Sequence, residues 1–282
     1  MAARRNRNRI GMWNAGVVWL VVSAAACAAD QFQSGAVEAC RRGVAQLEET
    51  RLKDAAASFD EAIRLDPTCA VAWHKRAQCH FLAGNAQKAI DECTEAIRLD
   101  PKCADYYCGR GSAMLAAGNL DKAVRDYCEA IRLDPKLANA RYNRGRAFFQ
   151  LGALENALAD LNEAIRLQAD VALFYLVRGQ IHARNHDYPQ FVADYSEAIR
   201  LEPNRAEAWF GRGLARVFLG ETTAALEDFT EAIRLRPDDA ESYRVRGHLF
   251  QSLGLAEKAE ADQTRAAQLE ETASRTANGS AR

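Results

Sequence analysis

An all-α solenoid of helix-turn-helix repeats is the fold this sequence predicts, and three observations carry the prediction. The string Glu-Ala-Ile-Arg-Leu recurs six times at 34-residue intervals, from Glu61, Glu95, Glu129, Glu163, Glu197 and Glu231, with a faded seventh copy at Arg265. Proline follows it at Pro67, Pro101, Pro135, Pro203 and Pro237. Between prolines, apolar residues fall at helical spacing in two runs with a break between them. A fixed period means that each unit cannot bury its own apolar face and must stack on its neighbours. The expected product is an elongated stack, without one central pocket.

The elements follow in order. Residues 1–29 read as a signal peptide or a membrane or lipid anchor, and 30–35 as a linker. Seven repeats then fill residues 36–273, at 36–69, 70–103, 104–137, 138–171, 172–205, 206–239 and 240–273. Taking Ala70 as position 1, a first helix runs to about Leu82 and Gly84 breaks it. A second helix carries Ala89, Cys93, Ala96, Ile97 and Leu99 on one face until Pro101 stops it. Gly118, Gly152, Gly220 and Gly254 repeat the break, where glycine takes a positive φ cheaply. Residues 274–282, small and polar, read as a disordered tail.

These residues resemble the tetratricopeptide repeat family, whose unit has a bulky aromatic at position 4, small residues at 8, 20 and 27, an aromatic at 24 and proline at 32. Position 4 holds Trp73, Tyr107, Tyr175, Trp209 and Tyr243, and position 8 holds Gly43, Gly111, Gly145, Gly179, Gly213 and Gly247, with Ala77 in the second repeat. Position 24 holds Phe59, Cys93, Tyr127, Leu161, Tyr195 and Phe229, then Gln263. Alanine occupies position 27 in all seven repeats, and the resemblance spans about 238 of the 282 residues. It implies a right-handed superhelical α-solenoid. Ala39 at position 4 and Gln263 at position 24 suit terminal caps that face water on one side. Ala169 in place of proline, His186 in place of glycine, Phe191 in place of alanine, and Pro189 make the junction of repeats four and five the expected irregularity.

Position 7, usually leucine in the family, is arginine in every repeat: Arg42, Arg76, Arg110, Arg144, Arg178, Arg212 and Arg246. An acid stands at position 23 in six repeats (Glu92, Asp126, Asp160, Asp194, Asp228, Asp262), with Ser58 in the first. A basic ladder for an acidic partner is one reading. An internal arginine–carboxylate ladder is the favoured one, because a half-buried arginine needs a partner and the acids recur in phase. Glu61 with Arg64, and the periodic equivalents, are i, i+3 pairs on a solvated helix face.

Arg4, Arg5, Arg7 and Arg9 precede an apolar stretch from about Ala15 to Ala29, with no acid before Asp30. This is the layout of a secretory signal. Three outcomes stay open: cleavage before Ala29 or Asp30, lipidation of Cys27 within a degenerate lipobox, or an uncleaved anchor. All place the repeats in the periplasm or cell envelope, with membrane contact only through this segment. Net charge is −1, and about −5 without the four arginines, which argues against a nucleic-acid partner.

Cys40, Cys69, Cys79, Cys93, Cys103, Cys108 and Cys128 all lie in the first three repeats. No C-x-x-C is present and the number is odd, so disulfide connectivity stays open. Cys79 and Cys93 sit at inward positions; Cys69 and Cys103 end their repeats in loops and are expected to be more exposed. His182 and His186 are four apart but lack a third ligand, so no metal site and no cofactor is expected. No catalytic constellation stands out against the repeat background, so the chain reads as non-enzymatic.

In the family, positions 2, 5, 9, 12 and 13 of the first helices line a concave groove. The resemblance carries that role to His74, Phe81, Leu115, Tyr142, Arg146, Phe149, Leu176, Arg184, Phe210, Leu214, Val217 and Phe218. The set is mostly apolar with a few cations, as suits a peptide with hydrophobic anchors. The lysine and asparagine clamp with which some members grip acidic C-termini is not matched: Cys40, His74, Cys108, Val44, Gln78 and Ser112 stand at those positions. The chain therefore reads as an envelope scaffold or adaptor binding a protein or peptide. The alternatives are a pilotin-like lipoprotein assembly factor and a cysteine-rich metal or redox protein.

Overall fold

The computed structural model describes residues 34–279. They form fourteen helices: α1 (Ser34–Glu48), α2 (Leu52–Leu65), α3 (Ala70–Leu82), α4 (Ala86–Leu99), α5 (Ala104–Ala116), α6 (Leu120–Leu133), α7 (Ala138–Leu151), α8 (Leu154–Leu167), α9 (Ala172–Arg184), α10 (Tyr188–Leu201), α11 (Ala206–Phe218), α12 (Thr222–Leu235), α13 (Ala240–Ser252) and α14 (Ala256–Gly279). Among the described residues there is no strand. The chain is an all-α solenoid of helix pairs. The N-terminal segment, including Cys27, lies outside the described residues.

The chain divides into two compact units, residues 1–168 and 169–282. The division falls at Ala169, the residue that replaces the repeating proline. In the first unit α1 to α8 pack consecutively; in the second, α9 to α14 do the same.

Five turns between paired helices close on a glycine with φ between 74° and 80°: Gly84, Gly118, Gly152, Gly220 and Gly254. The first and fifth repeats place Thr50 and His186 at the same step, both at φ 59°. A side chain in that left-handed region is strained, most of all a β-branched one. α10 compensates at its own start, where the Asp187 carboxylate accepts from the Gln190 amide at 3.3 Å and Pro189 occupies the first turn.

Packing within a repeat pairs positions 8 and 24. A Cβ added at Gly43, Gly111, Gly179 or Gly213 would stand 2.7–2.8 Å from the ring of Phe59, Tyr127, Tyr195 or Phe229. The ring of the second helix therefore lies against bare backbone of the first. In the second repeat Cys93 replaces the ring, and Ala77 replaces the glycine; both are fully or nearly fully buried. A smaller residue on one helix admits the methyl on the other.

Two expectations are corrected. Ala39 does not face water as a cap: it is 1% exposed, packed with Ala62, Cys69 and Ala72. A small residue on α1 lets the start of α3 close over it. The tail expected from residue 274 is helical to Gly279, because no proline or glycine interrupts Glu270–Asn278 and alanine-rich sequence propagates a helix.

Candidate functional site

Six of the seven position 7 arginines are internal; Arg42, in the first repeat, is exposed. Arg110, Arg144, Arg212 and Arg246 each donate two hydrogen bonds, at 2.7–3.0 Å, to Asp126, Asp160, Asp228 and Asp262 in the second helix of their own repeat. Arg178 does the same with Asp194, its shortest contact being 2.6 Å. The five aspartates are between 1% and 7% exposed. Forked pairing satisfies both carboxylate oxygens, which a buried anion requires.

Two further contacts of these arginines are not visible in the family pattern. The remaining terminal nitrogen reaches position 25 of the preceding repeat: Arg110 to Thr94 at 3.3 Å, Arg144 to the Cys128 sulfur at 3.2 Å, Arg212 to Ser196 at 3.1 Å and Arg246 to Thr230 at 3.0 Å. The guanidinium planes also lie over the position 4 rings, Arg76 over Trp73 at 4.7 Å and Arg212 over Trp209 at 4.9 Å. Those rings in turn donate back across the repeat boundary, Trp73 Nε1 to the Pro67 carbonyl at 3.0 Å and Trp209 Nε1 to Pro203 at 2.9 Å. Tyr175 donates to the Ala169 carbonyl at 3.0 Å, so the bond survives the loss of proline. The ladder joins adjacent repeats and offers no cationic surface.

Variation within the ladder has local consequences. In the second repeat Arg76 Nε stands 3.0 Å from Glu92 Oε1, while Arg76 Nε and Glu92 Oε2 make no hydrogen bond. Burial raises the Glu92 carboxyl above its usual range despite Arg76. In the first repeat, where position 23 is Ser58, Arg42 recruits Glu61. Glu61 is thus paired with Arg42, contrary to the expected pair with Arg64. Its equivalents Glu95, Glu129, Glu163, Glu197 and Glu231 do pair with the arginine three residues on, at 2.5–2.9 Å. These pairs are exposed, and solvent screening leaves them little stabilising effect.

The proposed groove residues separate by burial. His74, Leu115, Tyr142, Arg146 and Leu176 are at most 8% exposed, and Tyr142 is 0% exposed. These five belong to the packing between helices and present little to a ligand. Phe81, Phe149, Phe210 and Leu214 are half-buried, and Arg184, Val217 and Phe218 are exposed. Phe210 packs against the fully buried Phe229, ring centroids 5.7 Å apart.

Beneath this surface the first unit is polar. Lys75, Gln78, Asn139 and Asn143 are all at least nine-tenths buried, and the side-chain carbonyl oxygens of the last three have no hydrogen-bond partner. Burial lowers the Lys75 ammonium below its usual range and raises the nearby Asp105 carboxyl. His74, next to Lys75 and 4.0 Å from the Cys93 sulfur, is held down to about 3 by burial first and by Lys75 second. It is neutral at physiological pH.

The exposed apolar side chains have a common address. The large hydrophobics exposed among the described residues are Leu82, Leu151, Val217, Phe218, Leu219, Leu253 and Leu255. Each lies at the end of a first helix or in the turn that follows. In the second unit Phe218 is 66% exposed on one side and stacks on Tyr188 of α10 on the other, 4.5 Å apart and 6° from parallel. His186 Nδ1 stands 3.2 Å from the Tyr188 hydroxyl, completing a surface aromatic cluster. The groove positions include Val217 and Phe218; they missed Tyr188 and Leu219. Neither stood out in the sequence, because their repeat positions, 17 and 14, also hold Leu52, Leu120 and Leu154, and Leu151 and Leu253.

Cys79 and Cys93 are buried, as their inward positions require. Cys69 is not the exposed loop thiol expected: it is 4% exposed, because the step into α3 folds it under α1. Among the described residues no group of three or more His, Cys, Asp or Glu is placed to hold a metal ion. His182 instead lies 3.6 Å from Asp187 and 3.8 Å from Asp194.

Three family models match this chain. Two described as tetratricopeptide repeat match residues 40–104 and 179–246, and one described as TPR repeat matches 111–152 and 145–185. The chain is a tetratricopeptide repeat protein. Among solved structures it is similar to MamA, at 22% identity and TM-score 0.56, over 58% of this chain and 96% of that one. It is similar to YrrB, described as a TPR protein with an unusual peptide-binding site, at 20% identity and TM-score 0.54, over 68% and 98%. The APC/C hetero-tetramer Cut9–Hcn1 aligns at 17% identity and TM-score 0.69, over 86% of this chain and 46% of that one. At these identities the likeness is one of fold. A comparison with curated proteins returns no match.

Proposed function

We propose that this protein is a non-enzymatic interaction scaffold that binds a segment of another polypeptide at its intra-repeat turns, with Phe218 as the principal apolar anchor. The observation that carries this reading is the position of the exposed hydrophobics. Exposed apolar clusters are costly in water and mark contact surfaces, and here they collect at the turns between paired helices. A rigid ring held by stacking, such as Phe218 on Tyr188, loses little entropy on contact. The peptide-binding site of YrrB and the assembly of Cut9 with Hcn1 support the same class of function in similar folds. The near-neutral to acidic charge favours a protein partner over nucleic acid.

The test is selection of phage-displayed peptides on the folded chain, followed by affinity measurement on Phe218→Ala/Tyr188→Ala. At least a tenfold loss of affinity, with helicity retained, is the expected result. Selected peptides that bind the double variant as tightly would move the site elsewhere on the repeats.

Export is the second element of the proposal, motivated by Arg4, Arg5, Arg7, Arg9 and the apolar run that follows them. The intact mass of protein recovered from an envelope fraction distinguishes its forms. Loss of 28 or 29 residues means a released scaffold; a diacylglyceryl adduct on Cys27 means a lipoprotein and favours the assembly-factor reading. A full-length soluble chain in the cytoplasm would overturn export.

A further inference from the structure

We propose that Cys40 and Cys69 form a redox-responsive disulfide that fastens the N-terminal helix α1 to the start of α3. Their sulfurs stand 4.0 Å apart as free thiols. A disulfide needs about 2.05 Å, a closure within reach of side-chain rotation and a small shift of α1. Both residues share one cluster with Ala39, Ala62 and Ala72, so no bulky side chain of that cluster stands between them. Because α1 is the first described helix, it makes its packing contacts with α2 and α3. A bond from residue 40 to residue 69 encloses all of α2 and turns that contact into a covalent one.

The pair is chemically differentiated. Cys69 sits at the N-terminal step of α3, where its carbonyl accepts from the Ala72 amide at 3.0 Å and its thiol lies beside the first-turn amides of Val71 and Ala72. The Cys40 thiol, then those amides, lower Cys69 below the usual thiol range against the opposing effect of burial, while Cys40 is raised. Cys69 is accordingly the thiolate and Cys40 the thiol that resolves it. With a hydroperoxide as oxidant, the Cys69 thiolate attacks the peroxide oxygen, the O–O bond breaks, and with one proton Cys69 becomes a sulfenic acid and water or an alcohol leaves. The Cys40 sulfur then attacks the Cys69 sulfur, the S–O bond breaks, and the hydroxide takes the Cys40 proton and leaves as water. Two thiols lose two electrons in total, and the hydroperoxide gains them.

The experiment treats the folded full chain with one equivalent of hydrogen peroxide, blocks remaining thiols by alkylation, and maps linked peptides by mass spectrometry. The expected result is, before alkylation, a mass 2 Da below that of the reduced chain, and after it a dominant peptide pair joining Cys40 to Cys69. Cys40→Ser should abolish that pair and Cys128→Ser should leave it unchanged. Oxidation should raise the midpoint of thermal unfolding of the α1–α3 region by several degrees, read by hydrogen exchange. Linkage distributed over Cys103, Cys108 or Cys128, or a chain that is oxidised to sulfinic acid without any Cys40–Cys69 peptide, would overturn the proposal. The mapping on the wild-type chain decides the matter even if the serine variant folds poorly.

Discussion

Asp160 shows how much one residue of the ladder carries. It is 4% exposed and takes two hydrogen bonds from Arg144, which also reaches the sulfur of Cys128 in the preceding repeat. Asp160→Ala leaves a half-buried guanidinium without its anion and should cost about 3–5 kcal/mol in urea unfolding. Glu163→Ala, which removes an exposed, solvent-screened partner of Arg166, should leave the urea midpoint nearly unchanged. Equal costs for the two would mean the ladder is not a structural element. Gly213→Ala places a methyl 2.8 Å from the buried ring of Phe229 and should destabilise by about 1–3 kcal/mol. His74 sets a pH dependence. Its folded value of about 3 lies below the usual 6.5, so the unfolded state binds the extra proton between the two. Stability is therefore complete above about pH 6.5 and falls as pH drops from there toward 3. A melting profile from pH 8 to 4 should show this slope, and His74→Gln should flatten it relative to the wild type.

At the scale of the element, the turn is where this chain departs from its own pattern. Five turns use glycine at positive φ, and two do not: Thr50 and His186 both sit at φ 59°. Thr50→Gly should stabilise the chain by about 1 kcal/mol, since it removes a β-branched side chain from the left-handed region. His186→Gly should gain less, because it also removes the contact to Tyr188. Chemical denaturation of the two single variants orders these effects; destabilisation by Thr50→Gly would show that the threonine side chain is held by contacts that outweigh the strain. The pairing of positions 8 and 24 leaves a mark in the sequence, since the one repeat lacking glycine at position 8 also has the smallest residue at position 24, Cys93. Steric complementarity inside a repeat leaves this trace because the two positions are 16 residues apart in every copy. The end of α14 was not legible in the same way: sequence without a stop signal is helical only when preceding turns supply a nucleus to extend.

For the whole molecule, stability and recognition are assigned to different residues. Repeat arrays are held by contacts within and between neighbouring units, and the guanidinium, ring and carbonyl contacts described above provide them at each step within a unit. The exposed side chains at the turns take little part in that network. Phe218→Ala removes a ring that is 66% exposed. It should shift stability by less than about 1 kcal/mol while weakening peptide binding at least tenfold. A large loss of stability with binding intact would assign Phe218 to packing. The fold class and most of the ladder were readable from the sequence, and the candidate site was readable only in part. Val217 and Phe218 are exposed. Tyr142 and Leu176, at position 5 of their repeats, are buried, while Phe210 at the same position of the sixth repeat is half-buried. Periodicity states which residues share a register; it does not state which of them the next repeat covers.

By itself, the sequence determined the 34-residue unit, its two helices, the five glycine turns and the pairing of six of the seven position 7 arginines with the acid sixteen residues later. These are short-range consequences of side-chain size, backbone freedom and charge, and they repeat because their causes repeat. Only the tertiary structure decided that Cys69 lies under α1 beside Cys40, that five groove residues are sealed between helices, and that Tyr188 and Phe218 stack at the surface. Those outcomes depend on how far one helix pair covers another. Burial is a property of the packed neighbours, and no single repeat contains it.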